Sequence, residues 1–119
     1  MHESEIWALE AVNLLSKKNL DYLLELFEED ATVYEPFSRE GMLNGIAEIA
    51  PFLKVVCNNP SFLVGKGTTR VTALRYESYK VKVTSKNPRI CQLDFEFGKQ
   101  EANIKGRKLR KIKKLRIDV

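Results

Sequence analysis

The spacing of the apolar residues changes near the middle of the chain, and this change constrains the fold more than any other feature. Before residue 60 the apolar side chains recur at helical intervals, which predicts helices. After residue 62 they alternate with polar side chains, which predicts strands. Helices that precede a run of long strands pack on one face of a sheet, so this order predicts an α+β domain.

Three helices are predicted before residue 60. The first spans residues 3–16 and the second spans residues 20–28, with Asn19 as its N-cap. The third spans residues 45–56, and Pro51 inside it predicts a kink or a break into two pieces. A short strand over residues 31–35 follows the second helix and ends there, because Pro36 cannot continue a strand ladder. A polar loop that carries Ser38, Arg39, Glu40 and Gly41 is predicted between this strand and the third helix.

The second half of the chain is predicted to consist of strands joined by short turns. The predicted strands cover residues 62–64, 71–84 and 90–97, with a turn at Asn87 and Pro88 and a turn or ragged hairpin over residues 98–106. Residues 108–119 fit a last strand with a β-bulge near Lys111, and they also fit a basic amphipathic helix. The sheet is expected to be curved and mostly antiparallel.

Length and composition exclude several classes of protein. A chain of 119 residues is expected to form one domain over residues 1–119. No apolar run reaches the roughly 20 residues of a membrane span, and the acidic N-terminus is unlike a signal peptide, so a cytoplasmic protein without membrane contact is expected. Two cysteines and one histidine give neither a disulfide framework nor a zinc spacing. Cys57 and Cys91 are interpreted as core or half-buried thiols, and no metal or cofactor is expected.

The charge is distributed unevenly along the chain. Residues 1–50 contain 11 acidic and 3 basic side chains, whereas nine basic residues lie between Lys99 and Arg116 alone. Such a basic stretch is typical of nucleic-acid binding, of strand-edge protection and of intramolecular charge balance. The stretch carries no aromatic side chain on which a base would stack, so nucleic-acid binding is not expected.

Several short motifs in this chain occur together in one known superfamily. The sequence resembles the nuclear transport factor 2-like superfamily, in particular its SnoaL-like and ketosteroid isomerase-like branch. The resemblance covers most of the chain, and its specific spacing lies in residues 18–53. The matching segments are Lys18-Asn19-Leu20-Asp21, Leu26-Phe27-Glu28-Glu29-Asp30, Tyr34-Glu35-Pro36, Gly45-Ile46, Phe95-Glu96-Phe97 and Gly106-Arg107-Lys108-Leu109. The resemblance implies a cone-shaped, cystatin-like fold with three N-terminal helices on a curved sheet and an apolar internal pocket.

The resemblance also implies a role for Glu35, which occupies the position of the isomerase general base. A partly buried carboxylate there suits proton abstraction beside a carbonyl, and burial is expected to raise its pKa unless Arg39 reaches it. The alternative is a carboxylate that is solvated or paired with Arg39. The oxyanion donors of the isomerases align with Ala11 and Leu93, which cannot donate a hydrogen bond. Steroid isomerisation is therefore not expected.

Two classes of function remain open, and the sequence does not decide whether the domain is an enzyme. The first is a pocket that binds a small hydrophobic molecule, with isomerase, cyclase or hydrolase chemistry at Glu35. The second is a non-catalytic module of the same fold that forms a homodimer or binds a protein through its outer sheet face, where Tyr76 is expected. The predicted pocket residues are Trp7, Ala11, Val33, Phe52, Leu93 and Phe95.

Overall fold

The computed structural model describes residues 1–67, 70–86 and 89–119 and consists of three helices packed on a six-stranded curved sheet. The α+β prediction is confirmed. The predicted turn at Asn87 and Pro88 lies outside the described residues. The elements in chain order are α1 Glu3–Lys17, α2 Leu20–Leu26, β1 Phe27–Tyr34, β2 Met42–Asn44, α3 Ile46–Asn58, β3 Arg70–Glu77, β4 Lys80–Lys86, β5 Ile90–Ile104 and β6 Arg107–Asp118.

The helices begin and end where local chemistry favours it. In α2 the side chain of Asn19 accepts a hydrogen bond from the Tyr22 backbone N–H, as the N-cap prediction requires. In α3 the N-cap is Gly45 with a φ of 78°, a backbone conformation that other residues adopt with strain. Pro51 lies inside α3, yet Ile46–Asn58 form one helix, so of the two predicted alternatives the break into two pieces is wrong.

The sheet has the strand order β2-β1-β6-β5-β4-β3. All neighbouring strands are antiparallel except β1 and β6, which pair in parallel. The last segment is a strand and not a helix. Its pairing with β5 is irregular between Glu96 and Glu101, opposite the region near Lys111 where a bulge was predicted.

Four sequence predictions about strands were wrong. Residues 71–84 form two strands, because Ser78 adopts a φ of 58° and turns the chain between β3 and β4. Residues 98–104 continue β5, residues 62–64 lie in a loop, and β2 was missed inside a segment interpreted as loop. The β3–β4 turn also changes the position of Tyr76, which lies opposite Val81 on the helix side, stacked on His2 at 4.7 Å between ring centroids.

The buried apolar residues form one core between the helices and the sheet. The predicted core is confirmed, with six of its seven residues buried and Leu20 half-buried against them: Leu20, Leu23, Phe27, Ile49, Leu53, Leu93 and Phe95. Within the described ranges, no helix is both long and apolar enough to cross a membrane.

Candidate functional site

Glu35 lies immediately after β1 and organises the loop that joins β1 to β2. Only 4% of its surface is exposed. One carboxylate oxygen accepts hydrogen bonds from the backbone N–H groups of Phe37 at 2.8 Å and Ser38 at 2.9 Å. The Ser38 hydroxyl donates to the other oxygen. The Glu35 backbone N–H donates to the carbonyl of Gly41 at 3.1 Å, which closes the loop. Both carboxylate oxygens are therefore engaged by their own loop.

These contacts determine the acidity of Glu35. Burial alone raises the pKa of its carboxyl, but the hydrogen bonds from the Ser38 hydroxyl and from the backbone N–H groups of Phe37 and Ser38 together lower the pKa by more, so the net shift is downward. The expectation of a raised pKa was therefore wrong. The donors belong to the loop, and no ion pair between Glu35 and Arg39 occurs in the described part of the chain. Glu35 is thus an ionised, stabilised carboxylate at neutral pH.

The positions that the resemblance assigns to the pocket lie in different surroundings. Ala11, Val33 and Leu93 are fully buried in the core, and Phe95 is 2% exposed. Trp7 packs instead near the β3–β4 turn, with its ring 6.1 Å from that of Tyr79. These side chains fill the interior between the helices and the sheet. They do not form one site together with Glu35.

Phe52, the sixth of these positions, belongs to an aromatic cluster at the end of the sheet. The rings of Phe37 and Phe62 are 4.8 Å apart, and each lies just over 6 Å from that of Phe52. Phe37 is held there by the loop that Glu35 organises, yet it is 46% exposed. Through Phe37, the loop that Glu35 organises therefore contributes an exposed aromatic side chain to this cluster.

A cleft of about 790 Å³ opens beside this cluster. We call it the mouth cleft, and its apolar lining residues are Phe37, Phe62, Leu63, Ile90, Cys91 and Val119. Ile90 and Val119 are 61% and 68% exposed, which is high for aliphatic side chains that line one concave surface. Asn59, Pro60, Ser61 and the charged Arg89 complete the lining, and the volume lies within the ~300–1,000 Å³ that is usual for small-molecule sites.

Lys18 and the two cysteines are the reactive side chains near the mouth cleft. The Lys18 ammonium donates to the carbonyl of Phe62 at 2.7 Å, and its partial burial lowers its pKa. Burial raises the pKa of Cys57, against the attraction of the nearby Lys18 charge, and burial raises the pKa of Cys91 to about 11. Both thiols are protonated at neutral pH and are therefore poor nucleophiles. Lys18 fixes the loop that carries Phe62.

The outer face of the sheet is charged. Lys80 pairs with Glu96 at 3.8 Å, Lys82 pairs with Asp94 at 3.9 Å, and the Arg116 guanidinium lies 4.5 Å from the centroid of the Tyr34 ring. A shallow cleft of about 620 Å³ runs across these rows. Exposed ion pairs of this kind stabilise a monomer by only ~0–1 kcal/mol, so they are free to exchange partners.

The basic residues of β6 do not share one face. Lys111 pairs with Glu25 of α2 at 3.6 Å, and the Arg110 guanidinium lies over the rings of Trp7 and Tyr79. Arg107, at the start of β6, pairs with Glu10 of α1. These partners agree with the intramolecular charge balance considered from the sequence. Among the described residues, no three His, Cys, Asp or Glu side chains lie close enough to hold a metal ion.

The sequence interpretation missed the side chains that shape the mouth cleft. Phe37 lies in a segment interpreted as a polar loop, and Phe62 was assigned to a strand. A signal was present in Phe37 itself, a large aromatic residue directly after Pro36 and among polar neighbours. Ser38 also follows Glu35 at the spacing at which a side chain caps a tight turn.

Comparison with solved structures identifies the fold. A SnoaL-like protein of unknown function from Burkholderia thailandensis aligns over 97% of this chain and 92% of its own, with a TM-score of 0.73 and 14% identity. A de novo designed protein with a curved β-sheet aligns over 98% and 84%, with a TM-score of 0.66 and 15% identity. A protein from Kribbella flavida aligns over 98% and 85%, with a TM-score of 0.63 and 13% identity.

No family model and no curated protein matches the sequence. The structural neighbours nevertheless confirm that the chain has the fold of a SnoaL-like protein. At these identities the likeness concerns the fold alone, and one fold hosts many functions. The function has to be argued from the clefts and side chains of this chain.

Proposed function

We propose that this SnoaL-like domain binds a small apolar molecule in the mouth cleft. The observation that carries the proposal is the exposure of Phe37 and Ile90, 46% and 61%, within one concave surface of ligand size. A ligand that covers these side chains removes apolar surface from water at ~25 cal/mol per Å², which is the main source of affinity in such sites.

Under this proposal Glu35 is first a positioning residue, because its carboxylate holds the loop that presents Phe37. Glu35 does not itself line the mouth cleft, so acid–base chemistry there requires its carboxylate to leave the hydrogen bonds of the loop. Its lowered pKa makes it a weak base. Ala11 and Leu93 supply no hydrogen-bond donor for a developing oxyanion, at a cost of ~10²–10³ in rate per missing donor. Binding is therefore the primary function we propose, and catalysis a secondary one.

The proposal is tested with N-phenylnaphthylamine, an uncharged probe that fluoresces in apolar surroundings. The wild-type protein is expected to bind it saturably. Ile90→Ser is expected to weaken binding about five- to tenfold, because an aliphatic side chain is lost from the site. Val55→Ser is the matched control, since Val55 is 49% exposed on α3 and does not line the mouth cleft. Equal affinities for the two variants would remove the mouth cleft as the site.

A second candidate function is self-association through the outer sheet face. Its specific support is the row of opposite charges formed by Lys82 and Asp94 in one ion pair and Lys80 and Glu96 in another. Such rows present complementary charges to a second copy related by a two-fold axis. Sedimentation equilibrium at micromolar concentration is expected to show a homodimer, and Asp94→Lys is expected to favour the monomer. A single 13.7 kDa species in the wild type would contradict this proposal.

We do not expect this protein to bind nucleic acid. A generic oligonucleotide is expected not to bind at physiological ionic strength, because Arg107, Lys111 and Arg116 have partners within the protein. Tight binding that weakens steeply with added salt would contradict this expectation.

A further inference from the structure

A second buried carboxylate lies on the sheet, away from the Glu35 loop. Glu28, the second residue of β1, is 8% exposed. Neither a hydrogen bond nor an ion pair engages its carboxylate within the described ranges, in contrast to Glu35. Burial of a charged group without a partner is costly, and proteins keep such groups at sites that function requires.

The backbone around Glu28 is built to admit its carboxylate. The side chain packs directly over Gly98, and a Cβ at position 98 would collide with Oε2 of Glu28. Gly98 lies in the irregular part of β5, and Arg110 fixes it there by donating to its carbonyl at 2.8 Å. The Arg110 guanidinium is itself held 5.4 Å from the Trp7 ring and 5.6 Å from the Tyr79 ring. The position of the carboxylate is therefore set by three elements of the fold.

Glu28 lines a cleft of about 740 Å³ that we call the bulge cleft. Its side chains include Glu28, Tyr79, Lys99, Arg110 and Lys113, together with the exposed Glu77 and the ion pair between Lys80 and Glu96. Tyr79 is 48% exposed and offers a ring to an apolar group. Lys99 and Lys113 line the same cleft, and neither ammonium is within ion-pair distance of Glu28. Among the described residues, the cleft thus combines a buried carboxylate without a partner, an aromatic surface and two lysines that form no ion pair.

We infer that the bulge cleft binds a small zwitterion of the amino-acid class with an apolar side chain. The ammonium group pairs with Glu28, the carboxylate pairs with Lys99 or Lys113, and the apolar portion contacts Tyr79. A simple amine satisfies Glu28 but meets the repulsion of the two lysines, and a simple acid meets the repulsion of Glu28. This site is separate from the mouth cleft and does not depend on it.

The test compares three probes that share one ring, namely phenylalanine, phenethylamine and hydrocinnamate, by isothermal titration calorimetry at low ionic strength. Phenylalanine is expected to bind saturably and more tightly than phenethylamine, and hydrocinnamate is expected to show no saturable binding. Absence of saturable phenylalanine binding overturns the inference. Phenethylamine binding that equals or exceeds phenylalanine binding overturns the zwitterion assignment, and so does saturable hydrocinnamate binding.

The variants Glu28→Gln and Glu29→Gln locate the site. Glu28→Gln keeps the shape of the side chain and is expected to weaken phenylalanine binding about ten- to hundredfold, as the loss of a charged hydrogen bond predicts. Glu29→Gln is the matched control because Glu29 is the next residue in β1 and is exposed. Its affinity is expected to equal that of the wild type. Equal losses in both variants, or no loss in Glu28→Gln, would contradict the assignment.

A third variant covers the case in which Glu28→Gln acts through folding. Gly98→Ala leaves all charges in place but drives the Glu28 carboxylate from its position. It is expected to weaken phenylalanine binding and to leave the N-phenylnaphthylamine titration of the mouth cleft unchanged. Wild-type affinity for phenylalanine in Gly98→Ala would overturn the role of Glu28. Loss of the mouth-cleft titration alone would instead contradict the proposed function and not this inference.

Discussion

Glu35 and Glu28 are both buried carboxylates in or next to β1, and they differ in what surrounds their oxygens. Glu35 accepts from two backbone N–H groups and a hydroxyl. Glu28 has no partner in the described residues and faces a cleft. The family resemblance assigns a chemical role to Glu35, which the fold uses for its own loop, and assigns none to Glu28, which lines a cleft. A carboxylate at a motif position is therefore not necessarily the one whose oxygens lack partners within the protein.

The largest effect that tests this comparison is the loss of the Glu35 side chain. Glu35→Ala removes three charge-assisted hydrogen bonds and is expected to lower the free energy of unfolding by about 2–3 kcal/mol. Glu35→Gln keeps an acceptor oxygen and is expected to fold with a smaller loss, while it changes ligand binding at the mouth cleft. Urea denaturation of both variants measures the losses.

The control for Glu35→Ala is Glu40→Ala, which removes an exposed carboxylate from the same loop. That change is expected to stay within about 0.5 kcal/mol of the wild type. A loss in Glu40→Ala as large as that in Glu35→Ala would show that the loop responds to its total charge and not to the hydrogen bonds of Glu35.

The pH dependence of stability gives a second test of the same contacts. The folded-state pKa of Glu35 lies below the ordinary value of 4.5, so its ionised form stabilises the folded state above that value. The stabilisation is lost as the pH falls through the lowered folded-state pKa. The difference in unfolding free energy between wild type and Glu35→Gln is therefore expected to be constant from pH 6 to 8 and to shrink below about pH 4.5.

Unfolding curves recorded at pH 7 and at pH 3 measure this difference. A gap between wild type and Glu35→Gln that grew at low pH would mean that the folded state raises the pKa of Glu35. That result would restore the expectation drawn from burial alone and would weaken the distinction between Glu35 and Glu28.

The fold was largely predictable from the sequence because it follows from local periodicity. The apolar spacing of α1 and α3 and the alternation of β5 directly reflect which face is buried. The β3–β4 turn was missed because neither Ser78 nor Tyr79 is an asparagine, aspartate or glycine, the residues that favour two-residue hairpin turns, and the alternation of apolar residues continues through them. Local patterns of apolar residues predict which side chains are buried. They predict a turn only where glycine, asparagine or proline is present.

The candidate sites were less predictable because they depend on contacts between distant segments. The place of Glu28 is fixed by Gly98 and Arg110, which lie 70 and 82 residues further along the chain. The mouth cleft joins Phe37, Phe62 and Ile90, from three separate segments. No spacing rule connects such residues. The contact between Ser38 and Glu35 spans only three residues, so the sequence alone could have predicted it.

The aromatic cluster links the Glu35 loop to the mouth cleft, and its loss is expected to have an intermediate effect. Phe37→Ala removes ring contacts with Phe62 and Phe52, which are worth about 0.5–1.5 kcal/mol beyond area burial. The variant is expected to unfold about 1 kcal/mol more easily and to bind N-phenylnaphthylamine more weakly. Denaturation and probe titration of the same samples check both effects. Unchanged probe binding would separate the Glu35 loop from the mouth cleft.

The clearest contrast with Glu35 is the small change in stability that is expected for Glu28→Gln. Removal of a buried charge that has no partner relieves its desolvation without breaking a hydrogen bond, so stability is expected to stay equal or to rise by up to about 1 kcal/mol. Glu29→Gln, exposed and adjacent, is expected to change stability by less than about 0.5 kcal/mol. Urea denaturation of both variants in the absence of any ligand makes the comparison. A loss in Glu28→Gln comparable to that in Glu35→Ala would mean that Glu28 has a partner within the folded chain, and the two carboxylates would then serve the same structural purpose.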